Sequence, residues 1–205
     1  MSKSEETLPL LLETIRIEEG KAQHLDYHER RLNATRKALF SPKQDLVLEE
    51  LLEPPGEGVY RCRILYNTEI RSIEYLPYAV REIGTITLVE SQITYNFKFA
   101  DRKVFDTLRS LFPASDEILV TKGGFITDTT IANVAFRKNG TWFTPKEALL
   151  NGTTRQRLIE DGFLKLKSIR KEEIGHFDGF ALMNAMIGFS IINPTWLGIQ
   201  KNERE

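Results

Sequence analysis

Apolar and polar residues alternate through "LLLETIRI", residues 10–17, which predicts a strand, and "EEGK" follows as a turn. In "HLDYHERRLNATRKALF" the apolar positions Leu25, Leu32 and Leu39 recur at helical spacing, so a helix is expected there. "QDLVLEELLE" predicts a second helix stopped by Pro54 and Pro55, and "GVYRCRILYN" and "EIRSIEYLP" predict two strands. Past Pro77, "TITLVE" and "ITYNFKF" are strand-like and "DRKVFDTLRSLF" is helical. Residues 116–145 form a run of short strands around glycine-rich and Asn139-Gly140 turns. A helix from about Thr154 to Asp161, closed by Gly162, precedes the strand "FLKLKSI" and a largely apolar tail. The pattern describes an α+β chain with more strands than helices. It is expected to divide into a small N-terminal domain, residues 1–78, and a larger strand-rich domain, residues 79–205.

Composition narrows the function classes. The chain has 205 residues, 41% of them hydrophobic, and a formal net charge of -1 with the signs interspersed, which leaves neither a basic stripe for nucleic acid nor a polybasic membrane patch. The apolar run Leu8–Leu12 is too short for a signal-peptide core, and eighteen apolar residues nowhere run together, so a cytoplasmic protein is expected. One cysteine, Cys62, excludes an internal disulfide and reads as a small buried hydrophobe.

Five groups of residues break the local patterns. Lys98 stands among aromatics in "ITYNFKFAD", either as a solvated residue or as an amine whose pKa desolvation lowers so that it can form an imine. Asp128 interrupts the β-rich stretch "GGFITDTTIANVAF", as a turn residue or as the partner of a cationic ring nitrogen or guanidinium. Gly152, Thr153 and Thr154 open a helix, as an ordinary cap or as an anion site suited to phosphate. Arg31 lies on a helix flank. Arg61 and Arg63 share one strand face, where an anionic ligand or a cross-strand acid such as Glu69 or Glu74 must separate the two charges. His24 and His28 stand four apart, but no third ligand follows at a useful spacing, so no metal is expected.

Taken in order, "ETIRIEEGKAQHLDYHERRL", "FKFADRK", "DEILVTKGGFITDTTIANVAF", "FTPKEALLNGTTRQRL" and "LMNAM" resemble the class IV aminotransferase family, the pyridoxal-phosphate enzymes of fold type IV. The resemblance covers about Leu12 to Gly188. It implies a small α/β domain, a larger pseudo-barrel domain and pyridoxal 5'-phosphate in a cleft between them. It also implies a homodimer acting on a small carboxylate-bearing amino substrate. Lys98 matches the lysine that joins the cofactor covalently and moves the substrate proton, and Asp128 the usual glutamate at the pyridine nitrogen. Arg31 matches the phosphate arginine of "H-x-x-R-L", Thr153 and Thr154 the phosphate turn "G-x-T-R", and Asn184 another phosphate-side segment. Arg61 falls near a substrate-carboxylate arginine, with Arg63 beside it. The spacing Lys98-x-x-x-Arg102 is more similar to the 4-amino-4-deoxychorismate lyase branch than to the transaminase branches, and Lys103 replaces a tyrosine of the latter. Ala132-Asn133 replaces the usual Ser-Asn pair, and the chain starts close to "ETIR", where longer relatives carry a further strand and loop. A transaminase and a non-catalytic relative are the alternatives.

Overall fold

Period-two burial in the first strand organises the N-terminal sheet. The computed structural model describes residues 8–201, with side-chain surroundings up to residue 197. In β1 (Leu11–Glu18), Leu11, Glu13, Ile15 and Ile17 all point inward and are fully buried. β1 pairs antiparallel with β2 (Lys21–Ala22) and with β3 (Val59–Tyr66), which pairs with β4 (Ile70–Pro77), giving the order β2-β1-β3-β4. Helix α1 (Leu25–Phe40) places Leu32 in the same core as Ile15, Ile17, Cys62, Ile64 and Tyr66. Burial pushes the Cys62 thiol up to about 12, consistent with an inert packing residue.

Two expected elements do not form. Of "QDLVLEELLE", only Leu48–Glu50 makes a single 3-10 turn. Side chains of α1 capture its backbone donors: Leu46 N–H donates to Asn33 Oδ1 at 2.9 Å and Leu48 N–H to the Glu29 carboxylate at 2.7 Å. These tertiary bonds outweigh a helix propensity of a few tenths of a kcal/mol per residue. "ITYNFKF" is not a ladder strand either; Phe99 alone makes a bridge, to Leu11. The alternation there comes from a segment that serves two cores in turn. Tyr95 is buried edge-on against Phe105, whereas Phe97 and Phe99 pack on the core of β1 and β3.

The described residues cluster into two compact units. One holds those up to Tyr78 together with Phe97–Asp101, and the other holds Ala79–Asn96 together with those from Arg102 on. The second unit contains two sheets. β5 (Thr85–Glu90) and β6 (Glu117–Lys122) are parallel and connected through α2 (Lys103–Ser110), and β7 (Phe125–Thr129) returns antiparallel to β6. The other sheet contains β8 (Asn133–Lys138), β9 (Thr141–Pro145), β10 (Leu164–Lys167), β11 (Gly179–Asn184) and β12 (Gly188–Ile192), in the order β10-β9-β8-β11-β12. β13 (Thr195–Lys201) extends the first sheet to β13-β5-β6-β7, and α3 (Thr153–Glu160) lies between β9 and β10 in sequence. Ile86, Leu88, Leu119 and Ile126 of one sheet share a core with Val134, Phe136, Phe180 and Leu182 of the other. Among the described residues no helix is long and apolar enough to cross a membrane.

The β8–β9 hairpin follows the sequence signal. Lys138 pairs with Thr141, leaving Asn139 and Gly140 as a two-residue loop with φ of 51° and 75°, the signs of a type I′ turn. A Cβ on Gly140 would meet nothing within 4 Å, so Gly140→Ala tests backbone strain alone. It should lower the unfolding free energy by about 1 kcal/mol in urea titrations, and an unchanged midpoint would contradict the turn.

Candidate active site

In the first unit, the inward phase of β1 carries an acid. Glu13 is fully buried, and both its oxygens meet α1. Arg31 Nε donates to Oε1 at 2.8 Å and Arg31 Nη2 to Oε2 at 2.6 Å, a side-on fork, while His28 Nδ1 lies 2.8 Å from Oε2. Burial pushes the Glu13 carboxyl up, but the Arg31 charge and the His28 and Arg31 hydrogen bonds overcome it and hold the group at about 2. Burial keeps the His28 pKa below its ordinary value despite Glu13, and the charges of Arg31 and Lys98 push the same way. The imidazole is therefore neutral, with Nδ1–H donating to the carboxylate. Lys98 is half-buried beside this cluster, and its carbonyl accepts from Leu12 N–H at 2.8 Å. Glu13 escaped the sequence reading. Its signal was an acid in the apolar phase of an amphipathic strand.

On the outer face of β3, Arg63 pairs with Glu74 across the strands at 3.0 Å, so the cross-strand acid separates the two charges at this position. Arg61 is exposed and has no ion pair among the described residues.

In the second unit the centre is Asp128, on β7 and 3% exposed. Asn133 Nδ2 donates to its Oδ1 at 2.8 Å, and Leu150 N–H to its Oδ2 at 2.9 Å. Burial is the dominant influence and pushes the Asp128 carboxyl up to about 6, against the lowering effects of the Asn133 amide, the Leu150 N–H, the Arg155 charge and the Leu149 N–H. The loop that contacts Asp128 leads through Gly152 into α3, whose first turn contains no acid and whose Thr153 and Thr154 are buried. Asn184 places its amide on backbone, accepting from Met186 and Ile187 N–H at 2.9 and 3.1 Å and donating to Ile131 O at 3.2 Å, so it shapes the β11–β12 turn. Arg102 lies 4.9 Å from the Phe105 ring centre and donates to the Thr130 carbonyl, which makes it an anchor for the start of α2. A pocket of about 360 Å³ is lined by Thr127 and Leu149, the chain neighbours of Asp128 and Leu150, and by none of the residues that the resemblance assigns to the cofactor. Among the described residues no group of three His, Cys, Asp or Glu could hold a metal.

Comparison with known proteins identifies this framework. Residues 99–193 match the model of amino-transferase class IV. A Schizosaccharomyces pombe protein provisionally named aminodeoxychorismate lyase is 51% identical over 163 residues, covering 70% of this chain and 71% of its own. A crystal structure from Haemophilus somnus, described provisionally as a 4-amino-4-deoxychorismate lyase, superposes with a TM-score of 0.78 at 33% identity, covering 88% of this chain and 97% of that one. The chain belongs to the class IV aminotransferase family. At 14% identity, a pyridoxal-phosphate-bound Mycobacterium tuberculosis protein described as a hypothetical aminotransferase shares the fold, with a TM-score of 0.76 over 96% of this chain and 82% of its own. Class IV aminotransferases depend on pyridoxal phosphate, and the donor set here fits that group. Within the second unit, the acid-free head of α3 suits a phosphate, and a buried carboxylate with only neutral donors in contact suits a cationic ring nitrogen.

Two of the buried acids, Glu13 and Asp128, predict opposite pH dependences. A depressed pKa makes Glu13 a source of stability above pH 4.5 that is lost as pH falls through about 2. Glu13→Ala leaves two buried donor groups without their acceptor and should cost about 3–5 kcal/mol at neutral pH, read by urea unfolding; a loss below about 1 kcal/mol would contradict the buried pair. Asp128 is the reverse. Its raised pKa gives stability that is present below 3.8 and lost as pH rises through about 6, worth about 3 kcal/mol in the cofactor-free protein. Asp128→Asn should flatten that part of the stability–pH curve. Parallel curves for variant and wild type would show that Asp128 titrates normally.

Proposed function

We propose that the protein is a pyridoxal-phosphate-dependent 4-amino-4-deoxychorismate lyase, converting its substrate to 4-aminobenzoate and pyruvate. The observation that carries the cofactor reading is Asp128, a buried carboxylate kept in contact with neutral donors alone, whose pKa of about 6 marks a group suited to an external cation. The choice of reaction rests on the Schizosaccharomyces pombe and Haemophilus somnus relatives and on the Lys98-x-x-x-Arg102 spacing.

When bound, pyridoxal phosphate supplies an electron sink for the pair left on the substrate carbon. Lys98 Nζ would hold the cofactor covalently until the substrate amine displaces it, and the freed amine would then take the proton from the carbon that bears the substrate nitrogen. Asp128 keeps the ring nitrogen protonated, because an adjacent negative charge stabilises the cation. Arg31, Thr153 and Thr154 hold the phosphate, and Asn184 supports that end through the turn it shapes. Arg61 is the better placed arginine for a substrate carboxylate, since Arg63 is paired with Glu74. Arg102 serves by fixing the segment after Lys98. Loss of pyruvate leaves an aromatic ring, which drives the elimination forward. A homodimer is expected from the family resemblance, and a cytoplasmic location from the short apolar runs of the sequence.

Borohydride reduction and peptide mass mapping should place the pyridoxyl group on Lys98, and Lys98→Ala should remove it. Modification of another lysine would contradict the assignment. With 4-amino-4-deoxychorismate alone, the loaded protein should release pyruvate and 4-aminobenzoate in equal amounts. Turnover that requires a keto-acid acceptor would identify a transaminase instead, and covalent loading without turnover in either assay would identify a binding protein.

A further inference from the structure

Three chain segments meet at the Asn133 amide. Asn133 opens β8, is 6% exposed, and uses one nitrogen for two bonds: 2.8 Å to Asp128 Oδ1 on β7 and 2.8 Å to the Leu150 carbonyl in the loop before α3. Both partners are acceptors, so the amide must present its nitrogen, and its two hydrogens match the two acceptors. Leu150 closes the triangle by donating its N–H to Asp128 Oδ2 at 2.9 Å. The same Leu150 carbonyl accepts from Gly152 N–H at 2.9 Å, and Gly152 O takes the first helical bond of α3 from Gln156 N–H at 2.9 Å. An unbroken series of hydrogen bonds thus runs from the Asp128 carboxylate to the helix that starts at Thr153.

Gly152 shows how tight the arrangement is. A Cβ there would lie 2.0 Å from Asn133 Oδ1 and 3.2 Å from Asn133 Cγ. Its backbone, at φ -68° and ψ 143°, is open to any residue, so glycine is required here by the Asn133 side chain and not by the turn. No shorter or differently charged side chain at position 133 could do the same work. A serine offers one hydrogen for two acceptors, and an aspartate would set a second carboxylate against Asp128.

We propose that Asn133 is a positioning residue that locks the acid for the cofactor's ring nitrogen to the turn that receives its phosphate, so that Asp128 and the head of α3 keep a fixed separation. The inference rests on the cofactor reading above. Its consequence is a coupling between the two ends: disturbing the Asn133 amide, which bonds to Asp128 on one side and to the Leu150 carbonyl on the other, weakens recognition of the phosphate.

The test compares pyridoxal phosphate with pyridoxal, which lacks the phosphate, as ligands of the full-length protein. The ratio of their dissociation constants measures phosphate recognition, and a uniform loss of stability does not change it. Asn133→Ala and Gly152→Ala should each lower that ratio by about tenfold or more, the effect of misplacing one charge-assisted contact. Gly152→Ala decides the matter if Asn133→Ala does not fold. Arg31→Ala and Thr154→Ala are the controls for the phosphate site itself. If the controls lower the ratio and the Asn133 and Gly152 variants leave it within about twofold of wild type, even with a lower melting temperature, Asn133 is structural only and the proposal is wrong. If the controls leave the ratio unchanged too, the phosphate lies elsewhere and the cofactor reading falls with the proposal.

Discussion

A carboxylate removed from water needs compensation, and what lies in contact with it decides the outcome. Two of the buried carboxylates of this protein, Glu13 and Asp128, resolve the problem in opposite ways. Glu13 receives a guanidinium fork and an imidazole N–H, and its pKa falls to about 2 despite complete burial. Asp128 receives an amide and a backbone N–H, both neutral, with the Arg155 charge further off, and its pKa rises to about 6. A cation in contact is the difference. Glu13 is a finished ion pair that sets the plane of Arg31. Asp128 is held by neutral donors, with no cation in contact among the described residues.

The surrounding fold serves that arrangement. Asp128 is on the last strand of a sheet whose parallel core, β5 and β6, is buried on both faces, which accounts for the desolvation. Its donors come from β8 and from the loop before α3, so one carboxylate ties two sheets and a helix together. In the first unit, Lys98 is held by backbone bonding to β1, the strand that carries Glu13 on its inward face. A side chain held by its backbone to the edge of a sheet has fewer positions available than one on a free loop.

The legible parts of this structure were those set by local periodicity. Strand β1, helix α1 and the Asn139-Gly140 hairpin formed where apolar spacing and turn chemistry indicated. "QDLVLEELLE" misled because Asn33 and Glu29, more than ten residues earlier, take its backbone donors. The alternation of "ITYNFKF" was real, but its aromatics divide between two cores instead of lining one strand. Among the site residues, Asp128 announced itself as an acid in a β-rich stretch. Glu13 and Asn133 did not, because their significance lies in partners fifteen or more positions away or in a single shared amide. Arg63 and Arg102 were legible as candidates, but the Glu74 carboxylate and the Thr130 carbonyl that engage them were not.

Asp128 is a buried carboxylate with no cation in contact among the described residues, and the proposed cofactor would supply one. Carbon-13 NMR of the Asp128 carboxyl, followed through a pH titration, reads this directly. In the cofactor-free protein the midpoint should lie near 6, and loading with pyridoxal phosphate should move it well down, since a cationic ring nitrogen favours the ionised form. A midpoint near the ordinary 3.8 in the free protein, or one that cofactor loading leaves unmoved, would contradict the account.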